Sequence, residues 1–196
     1  MSIRTATVER KTAETSVKLI LNLDGNGHGV IDSGIGFFDH MLNLMTAHGL
    51  LDLTLACDGD IDVDGHHSVE DIGITLGQAF KQAIGDKKGI RRYGTFYLPM
   101  DEALAFVSLD ISGRPFLVYD GGEMAPMIGG YDTELTEEFL RAFAVNAGIT
   151  LHVRMLYGKN SHHKVEAIFK ALGHALRIAV EKDPRVDGIP STKGSL

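Results

Sequence analysis

The chain has 196 residues and a formal net charge of −7 at pH 7, with 44% hydrophobic and 23% charged residues. This is the balance of an ordinary globular protein with one large or two small domains, and the acidic charge argues against electrostatic binding of nucleic acid. Because it has one cysteine, no signal-peptide core and no membrane-length apolar stretch, we expect a soluble cytoplasmic protein without nucleic-acid or membrane partners.

The first half of the chain predicts strands followed by helices. Apolar residues alternate over residues 17–23, which is typical of a half-buried strand that ends in a turn. A helix is predicted near 37–48, then another strand, then a long helix over 66–84 that carries its apolar residues on one face. Two lysines and a glycine at 87–89 are typical of a helix end.

The second half repeats this order. Alternation over 105–111 predicts a strand, and helices are predicted near 134–147 and over 162–180. Residues 162–180 match residues 66–84 without gaps at nine of nineteen positions, which indicates duplication. We therefore predict an α+β fold of two half-domains, each a small mixed sheet with helices packed on one face, and we expect the two long helices to pack together. The predicted units are residues 1–90, residues 91–187 and a tail at 188–196.

Each long helix begins with a His-His-x-x-Glu motif. The first His and the Glu lie four residues apart and share a helix face, whereas the second His faces elsewhere. One motif could therefore serve two metal ions, or one ion and a substrate. Imidazole and carboxylate donors without thiolates suit Mn, Fe, Zn or Co, so two retained copies predict a metal site rather than surface histidines. The candidate ligands are His66, His67, Glu70, His162, His163 and Glu166.

One further ligand per half is predicted outside these motifs. An offset of 98 residues lays His40 over Glu138, and both side chains can bind a metal. Asp60, Asp62 and Asp64 alternate just before the first motif, and we interpret them as the solvated face of a strand and its turn.

Other motifs complete a pattern that extends over the whole chain. They are RKTAET at 10–15, DHMLNLMTAHG at 39–49, SGRP at 112–115, GKNSHHKVEAIFKALGHAL at 158–176 and PSTKG at 190–194. Together with the first His-His motif they resemble the imidazoleglycerol-phosphate dehydratase family. The resemblance implies dehydration of D-erythro-imidazole-glycerol phosphate to imidazole-acetol phosphate in histidine biosynthesis. It also implies two Mn²⁺ per site, half-domains similar to the second domain of ribosomal protein S5, and a homo-oligomer of 24 chains with sites between them.

The resemblance also assigns residues. The implied metal ligands are His40, His66, His67, Glu70, Glu138, His162, His163 and Glu166. The implied groups that bind the phosphorylated imidazole substrate are Glu14, His48, Arg92, Arg114, Lys170, Ser191, Thr192 and Lys193. Glu14, Glu70 and Glu166 are the acid/base candidates, and Glu102, the repeat mate of Glu14, is expected to be structural. At position 138 part of the family has His, so Glu138 departs from the pattern there.

The chemistry explains why such a protein needs metal. The proton to be removed is on the carbon chain attached to an imidazole ring, with no carbonyl beside it. Two metal ions, one on each ring nitrogen, would hold the ring as imidazolate while hydroxide leaves. An alternative enzyme is a dinuclear metallohydrolase of a phosphate ester, with metals about 3.5–4 Å apart. A non-enzyme alternative is a metal-storage or RNA-binding module.

Overall fold

The computed structural model of the protein describes residues 4–196. Its first half is a four-stranded mixed sheet with two helices. The elements are β1 (Thr5–Lys11), β2 (Thr15–Asn22), β3 (Gly29–Asp32), α1 (Gly36–Gly49), β4 (Asp52–Gly59) and α2 (His66–Ile84). The strand order is β1-β2-β4-β3, with β3 parallel to β4 and the other pairs antiparallel.

The second half has the same topology. Its elements are β5 (Tyr93–Met100), β6 (Ala103–Asp110), β7 (Phe116–Asp120), β8 (Met127–Ile128), β9 (Tyr131–Asp132), α3 (Leu135–Ala147), β10 (Thr150–Tyr157) and α4 (Ser161–Val180). The large sheet has the order β5-β6-β10-β7, with β7 parallel to β10, and β8 and β9 form a separate hairpin. The predicted α+β fold with duplicated mixed sheets is confirmed.

Period-two burial places the helices on one face of each sheet. On β2 the inward residues Val17, Leu19 and Leu21 are buried, while the residues between them are more exposed. On β6, Ala105 and Val107 are buried in the same way. The other face of each sheet is more open, so each half has two layers of secondary structure.

The helices of the two halves pack crosswise. Helix α1 packs on α4 and helix α2 packs on α3. Glycines permit this approach, because a Cβ on Gly173 of α4 would lie 2.5 Å from the Met45 carbonyl oxygen of α1. A Cβ on Gly73 of α2 would lie 2.9 Å from the Phe139 carbonyl oxygen of α3. The expectation that the two long helices pack on each other was therefore wrong, since each uses its small residues to meet a short helix of the other half.

Both halves contribute to one apolar core. Phe38 of α1 meets Phe139 of α3 edge to face, with ring centroids 5.2 Å apart. Phe139 in turn stacks on Phe169 of α4 at 5.3 Å, and all three rings are fully buried. The N-terminal ends of α1, α3 and α4 are thereby fixed relative to one another, which positions the motif residues.

Across residues 4–196, none of the helices combines the length and the apolar composition that crossing a bilayer requires.

Candidate metal and substrate site

An Asx side chain accepts amide hydrogen bonds at the start of each motif helix. The Asn160 side-chain oxygen accepts hydrogen bonds from the amides of His162 and His163, at 2.9 and 3.3 Å. Two residues before the first motif, Asp64 accepts a hydrogen bond from the amide of His66 at 2.8 Å. These hydrogen bonds satisfy amides that the helix leaves free and fix where each motif starts. Asp64 is exposed in the turn segment before α2, as interpreted from the sequence, and its side chain also binds the first amide of the motif.

Three of the predicted ligands converge within this chain. His162 Nε2 lies 3.1 Å from Glu166 Oε2, and His40 Nε2 lies 3.6 Å from the same oxygen. Within residues 4–196 they form the one group of three or more His, Cys, Asp or Glu side chains with ligand atoms all within 4.8 Å. His40 comes from the first half and its two partners from the second, because α1 packs on α4. The crosswise packing therefore builds the cluster.

The charge state of Glu166 suits a ligand. Burial alone would raise the pKa of its carboxyl group, but hydrogen bonds from Lys170 and His162 outweigh burial and lower that pKa. Lys170 Nζ lies 2.5 Å from Glu166 Oε1, and only 8% of the Glu166 side chain is exposed. A carboxylate that stays ionised and is held from behind by a cation presents its other oxygen to the two histidines.

The second histidine of each motif is oriented by a carboxylate. His67 donates from Nδ1 to Asp60 at 3.0 Å, and His163 donates from Nδ1 to Glu102 at 2.7 Å. These hydrogen bonds raise the pKa of both imidazoles. A proton held on Nδ1 leaves Nε2 as the nitrogen that can bind a metal, an arrangement that is common around metal-binding histidines.

Glu14 and Glu102 hold matching positions in the two halves but have different surroundings. Glu102 accepts hydrogen bonds from the amides of Lys159 and Asn160 as well as from His163, which lowers its pKa to about 2. Glu14 has its closest charged partner in His67, 3.8 Å from Oε2 to Nε2, and its side chain is 54% exposed. Glu102 is therefore fixed in place, whereas the carboxylate of Glu14 is available to a substrate.

The remaining predicted ligands stay outside the three-residue cluster. Glu70 is exposed, while Glu166, at the same position in the second motif, is buried. His66 and Glu138 are each half-buried. Glu138 lines an acidic cavity of about 500 Å³ together with Glu134 and Glu137. Among residues 4–196, these ligands do not form a second cluster of the same kind.

Five of the predicted substrate-binding residues line one cavity of about 680 Å³. They are Arg92, Arg114, Ser191, Thr192 and Lys193. The cavity forms where the tail crosses the SGRP turn, and a Cβ on Gly113 would lie 3.0 Å from the carbonyl carbon of Leu196. Two hydroxyls and three cations around one opening suit a phosphate group.

Arg92 and Arg114 have different roles in that cavity. Arg92 forms a two-point ion pair with Asp110, at 2.6 and 3.0 Å, and its Nη1 donates to the Pro190 carbonyl at 2.9 Å. Its guanidinium is thus largely occupied in anchoring the tail. The Arg114 side chain is 71% exposed and lies 3.7 Å from Asp110, so it is the more available cation.

His48 and Lys170 lie elsewhere, on the α1–α4 helix pair. Nδ1 of His48 shares a hydrogen bond of 3.1 Å with Nε2 of His174, whose ring stacks on Phe96 with centroids 4.1 Å apart. Burial lowers the pKa of both histidines, and Lys170 lowers that of His48 further. The predicted phosphate-binding residues are therefore divided between two places on this chain.

Comparisons with known proteins agree with this geometry. The imidazoleglycerol-phosphate dehydratase family model matches residues 33–176. The chain is 62% identical to the Clostridium botulinum imidazoleglycerol-phosphate dehydratase over 191 residues, which are 97% of each protein. It is 58% identical to the Acetivibrio thermocellus enzyme over 189 residues, 96% of this chain and 97% of that one. The chain belongs to the imidazoleglycerol-phosphate dehydratase family.

Solved structures of imidazoleglycerol-phosphate dehydratase share the fold. The Staphylococcus aureus structure superposes with a TM-score of 0.83 at 42% identity, covering 91% of this chain and 99% of that one. The Pyrococcus furiosus structure has the same TM-score at 35% identity, covering 96% of this chain and all of that one. Membership in this family makes the chain a hydro-lyase.

Three residues of this candidate site were missed or only partly assigned from the sequence. Asp60 orients His67, although we interpreted it as a solvated side chain, and Glu102 orients His163 as well as fixing its turn. His174 was not singled out. It follows His162, Glu166 and Lys170 at intervals of four, so helical periodicity alone was a signal for it.

Proposed function

We propose that this chain removes water from D-erythro-imidazole-glycerol phosphate, with two Mn²⁺ ions per active site and imidazole-acetol phosphate as product. The observation that carries the proposal is the convergence of His40, His162 and Glu166 in a chain whose relatives are named for this reaction. The location of the enzyme in the cytoplasm remains a prediction.

The donor chemistry fits manganese. The cluster offers two imidazole nitrogens and one carboxylate oxygen, and the described site contains no thiolate. Such mixed N and O donors bind Mn²⁺, Fe²⁺ or Zn²⁺. His40 and His162 are about half exposed while Glu166 is buried, so the donors open toward solvent and leave room for further ligands.

The phosphate group of the substrate would be held at the tail. Arg114 and Lys193 supply charge, Ser191 and Thr192 supply hydroxyls, and Arg92 keeps the tail in position. Hydrogen bonds between cations and phosphate oxygens are strong and directional. Binding the phosphate at this end limits where the imidazole ring of the substrate can lie.

The reaction removes one proton and one hydroxide from neighbouring carbons. In our proposal Glu14 takes the proton from the carbon next to the one attached to the ring, because its carboxylate is accessible and faces His67. The hydroxide leaves from the carbon attached to the ring and combines with a proton as water, and the enol left on the next carbon becomes the ketone. Bound Mn²⁺ supplies Lewis-acid stabilisation of the negative charge that the ring takes up. Glu70 and Glu166 act chiefly as ligands, since Glu166 is held ionised by Lys170.

We also propose that the site is completed by other copies of this chain in an assembly of 24. In residues 4–196, His66, Glu70 and Glu138 stay outside the three-residue cluster. His48 and Lys170 likewise do not line the cavity of the tail. Association of copies would bring one chain's tail to another chain's helix pair and supply the missing donors.

A turnover assay tests the proposal. The Mn²⁺-loaded protein with imidazoleglycerol phosphate should form imidazole-acetol phosphate, identified by mass and NMR, without release of inorganic phosphate. His163→Ala should lose bound manganese and activity while remaining folded, whereas His152→Ala, an exposed histidine on β10, should keep both. Phosphate release in place of the ketone would identify a metallohydrolase. Full manganese content in His163→Ala would contradict the ligand assignment.

A further inference from the structure

The turn between β1 and β2 carries Glu14 and is held by hydroxyl hydrogen bonds. Thr12 Oγ1 accepts from the amides of Glu14 and Thr15, at 3.1 and 3.0 Å. The Glu14 carbonyl accepts from the amide of Asp60 at 3.2 Å. These bonds shape the turn and link it to the segment that leads into α2, but they do not reach the helix.

A buried carboxylate joins that turn to the motif helix. Asp71 directly follows Glu70 on α2, and its side chain is 8% exposed. Its Oδ1 accepts from Arg10 Nε at 2.8 Å, and its Oδ2 accepts from the hydroxyl of Thr15. Arg10 and Thr15 lie on the two strands that flank Glu14, so the Asp71 side chain binds both sides of the turn.

In the second half, apolar residues occupy the positions that correspond to these three polar residues. The positions that match Arg10, Thr15 and Asp71 are Leu98, Ala103 and Ala167, which are all buried. Residue pairing supports the match, since Arg10 lies opposite Val17 and Leu98 lies opposite Ala105. The fold therefore does not require this polar triad, and an apolar contact makes an equivalent turn.

A buried ion pair is a weak source of stability, because removing two charges from water offsets much of their attraction. Such a pair instead restrains the position of the turn, since two hydrogen bonds at fixed angles locate it more closely than apolar contact does. Glu102, the counterpart of Glu14, is located instead by the amides of Lys159 and Asn160. Among residues 4–196 no such bond reaches the Glu14 carboxylate, so its position depends on the turn.

We propose that Asp71, acting through Arg10 and Thr15, is the positioning residue for the Glu14 carboxylate. The proposal rests on the acid/base role of Glu14 proposed above. Because Asp71 and Glu70 are neighbours on α2, the same helix carries a metal ligand and fixes the carboxylate that moves the proton. A misplacement of about 1 Å at a reacting group can reduce a rate about 100-fold.

The principal test replaces the triad by the residues of the second half. The variant Arg10→Leu, Thr15→Ala and Asp71→Ala should keep its assembled size and manganese content, because Leu98, Ala103 and Ala167 already support such a turn. Its kcat should fall at least about 10-fold, while KM changes about twofold or less. An unchanged kcat with normal assembly would overturn the proposal.

A milder pair of variants covers the case in which the triple variant does not fold. Thr15→Val removes the hydroxyl and should lower kcat, whereas Thr15→Ser keeps it and should restore kcat to near the wild-type value. Thr75→Val is the matched control, since the equally buried Thr75 hydroxyl donates to the Asp71 carbonyl on the same helix and not toward Glu14. Equal losses in Thr15→Val and Thr75→Val would indicate a structural role only.

A double-mutant cycle separates this inference from the proposed function. If Asp71 acts through Glu14, Asp71→Asn should lower kcat in the wild type but add little to the loss already caused by Glu14→Gln. If the kcat losses of Asp71→Asn and Glu14→Gln instead multiply in the double variant, the positioning role is wrong and the role of Glu14 stands. Full activity in Glu14→Gln would refute the acid/base assignment itself, and the positioning proposal with it.

Discussion

Glu14 and Glu102 occupy the same place in the two halves, yet Glu102 accepts two backbone amide hydrogen bonds and the carboxylate of Glu14 accepts none from residues 4–196. Duplication thus supplied two copies of one carboxylate that have since diverged. One holds a histidine and a turn, and the other is left accessible.

The first prediction concerns Glu102 as the partner of His163. Glu102→Gln replaces the charged acceptor of the Nδ1 proton by a neutral amide oxygen, which weakens the hydrogen bond that directs Nε2 outward. Manganese affinity should fall about 10- to 100-fold, as is usual when the hydrogen-bond partner of a ligand is lost. Asp101→Asn is the control, since Asp101 is 3.7 Å from His163 and largely exposed. Titration with Mn²⁺ measures both, and equal affinities for Glu102→Gln and wild type would contradict the role.

The second prediction links metal binding to assembly. Chelation should shift the protein to smaller oligomers, and Mn²⁺ should restore the large one, because an ion bound between chains stabilises the assembled state by mass action. Glu138→Gln should weaken assembly and the binding of one of the two metals. Glu137→Gln, on the same helix and paired with Arg141, should do neither. Light scattering and metal analysis on the same samples decide the matter, and chelated protein that keeps its full size would refute the link.

The third prediction concerns the tail. Lys193→Ala should raise KM about 10-fold or more with a smaller change in kcat, since a hydrogen bond to a charged group contributes about 1.5–3 kcal/mol. Deleting residues 191–196 should have a larger effect while leaving the Pro190 carbonyl bound to Arg92. Lys18→Ala, an exposed lysine of β2, serves as the control in steady-state assays. Unchanged kinetics in the deletion would exclude a substrate role for the tail.

The fourth prediction concerns the pH dependence of stability at His48 and His174. Burial lowers the pKa of both rings below the ordinary value, so below about pH 6.5 the unfolded chain binds more protons than the folded one. Their contribution to stability is present above that pH and is lost as the pH falls through the folded-state pKa values.

The variant His174→Gln isolates this effect, because Gln78 is the matching residue of α2. The difference in Tm between wild type and variant should shrink as the pH is lowered from 7.5 to about 5.5. Thermal unfolding at fixed metal and protein concentration measures it. A difference that grows on acidification would mean that the two rings are stabilised in their charged forms.

Most of the fold prediction came from the internal repeat in the sequence. Matching motifs and alternating strands fix the order of elements in each half, and the two observed sheets have the same strand order. Which helices meet across the halves could not be read from the sequence, because apolar faces are alike and only the positions of Gly73 and Gly173 distinguish them. The sequence could not predict that His40 lies beside His162 and Glu166 either, because that contact depends on the packing of α1 on α4.

The site was only partly visible in the sequence. The proposed metal ligands and the proposed phosphate-binding tail are local motifs, so spacing and resemblance could predict them. The roles of Asp60, Asp71 and Glu102 depend on contacts between segments that are distant in the sequence. The sequence around an acidic residue does not show which distant side chain it will contact.

The crosswise helix packing also governs how the chain can fold. Residues 36–49 meet their partner helix only after residues 50–160 have been made, and the inner pair, 66–84 with 135–147, closes within that interval. Contacts so distant along the chain slow folding because a long loop must close before they form. During synthesis the first half emerges with two apolar helix faces uncovered, which is the kind of surface that aggregates or recruits chaperones. If the two copies were separated, each would expose the apolar helix faces that the crosswise packing covers.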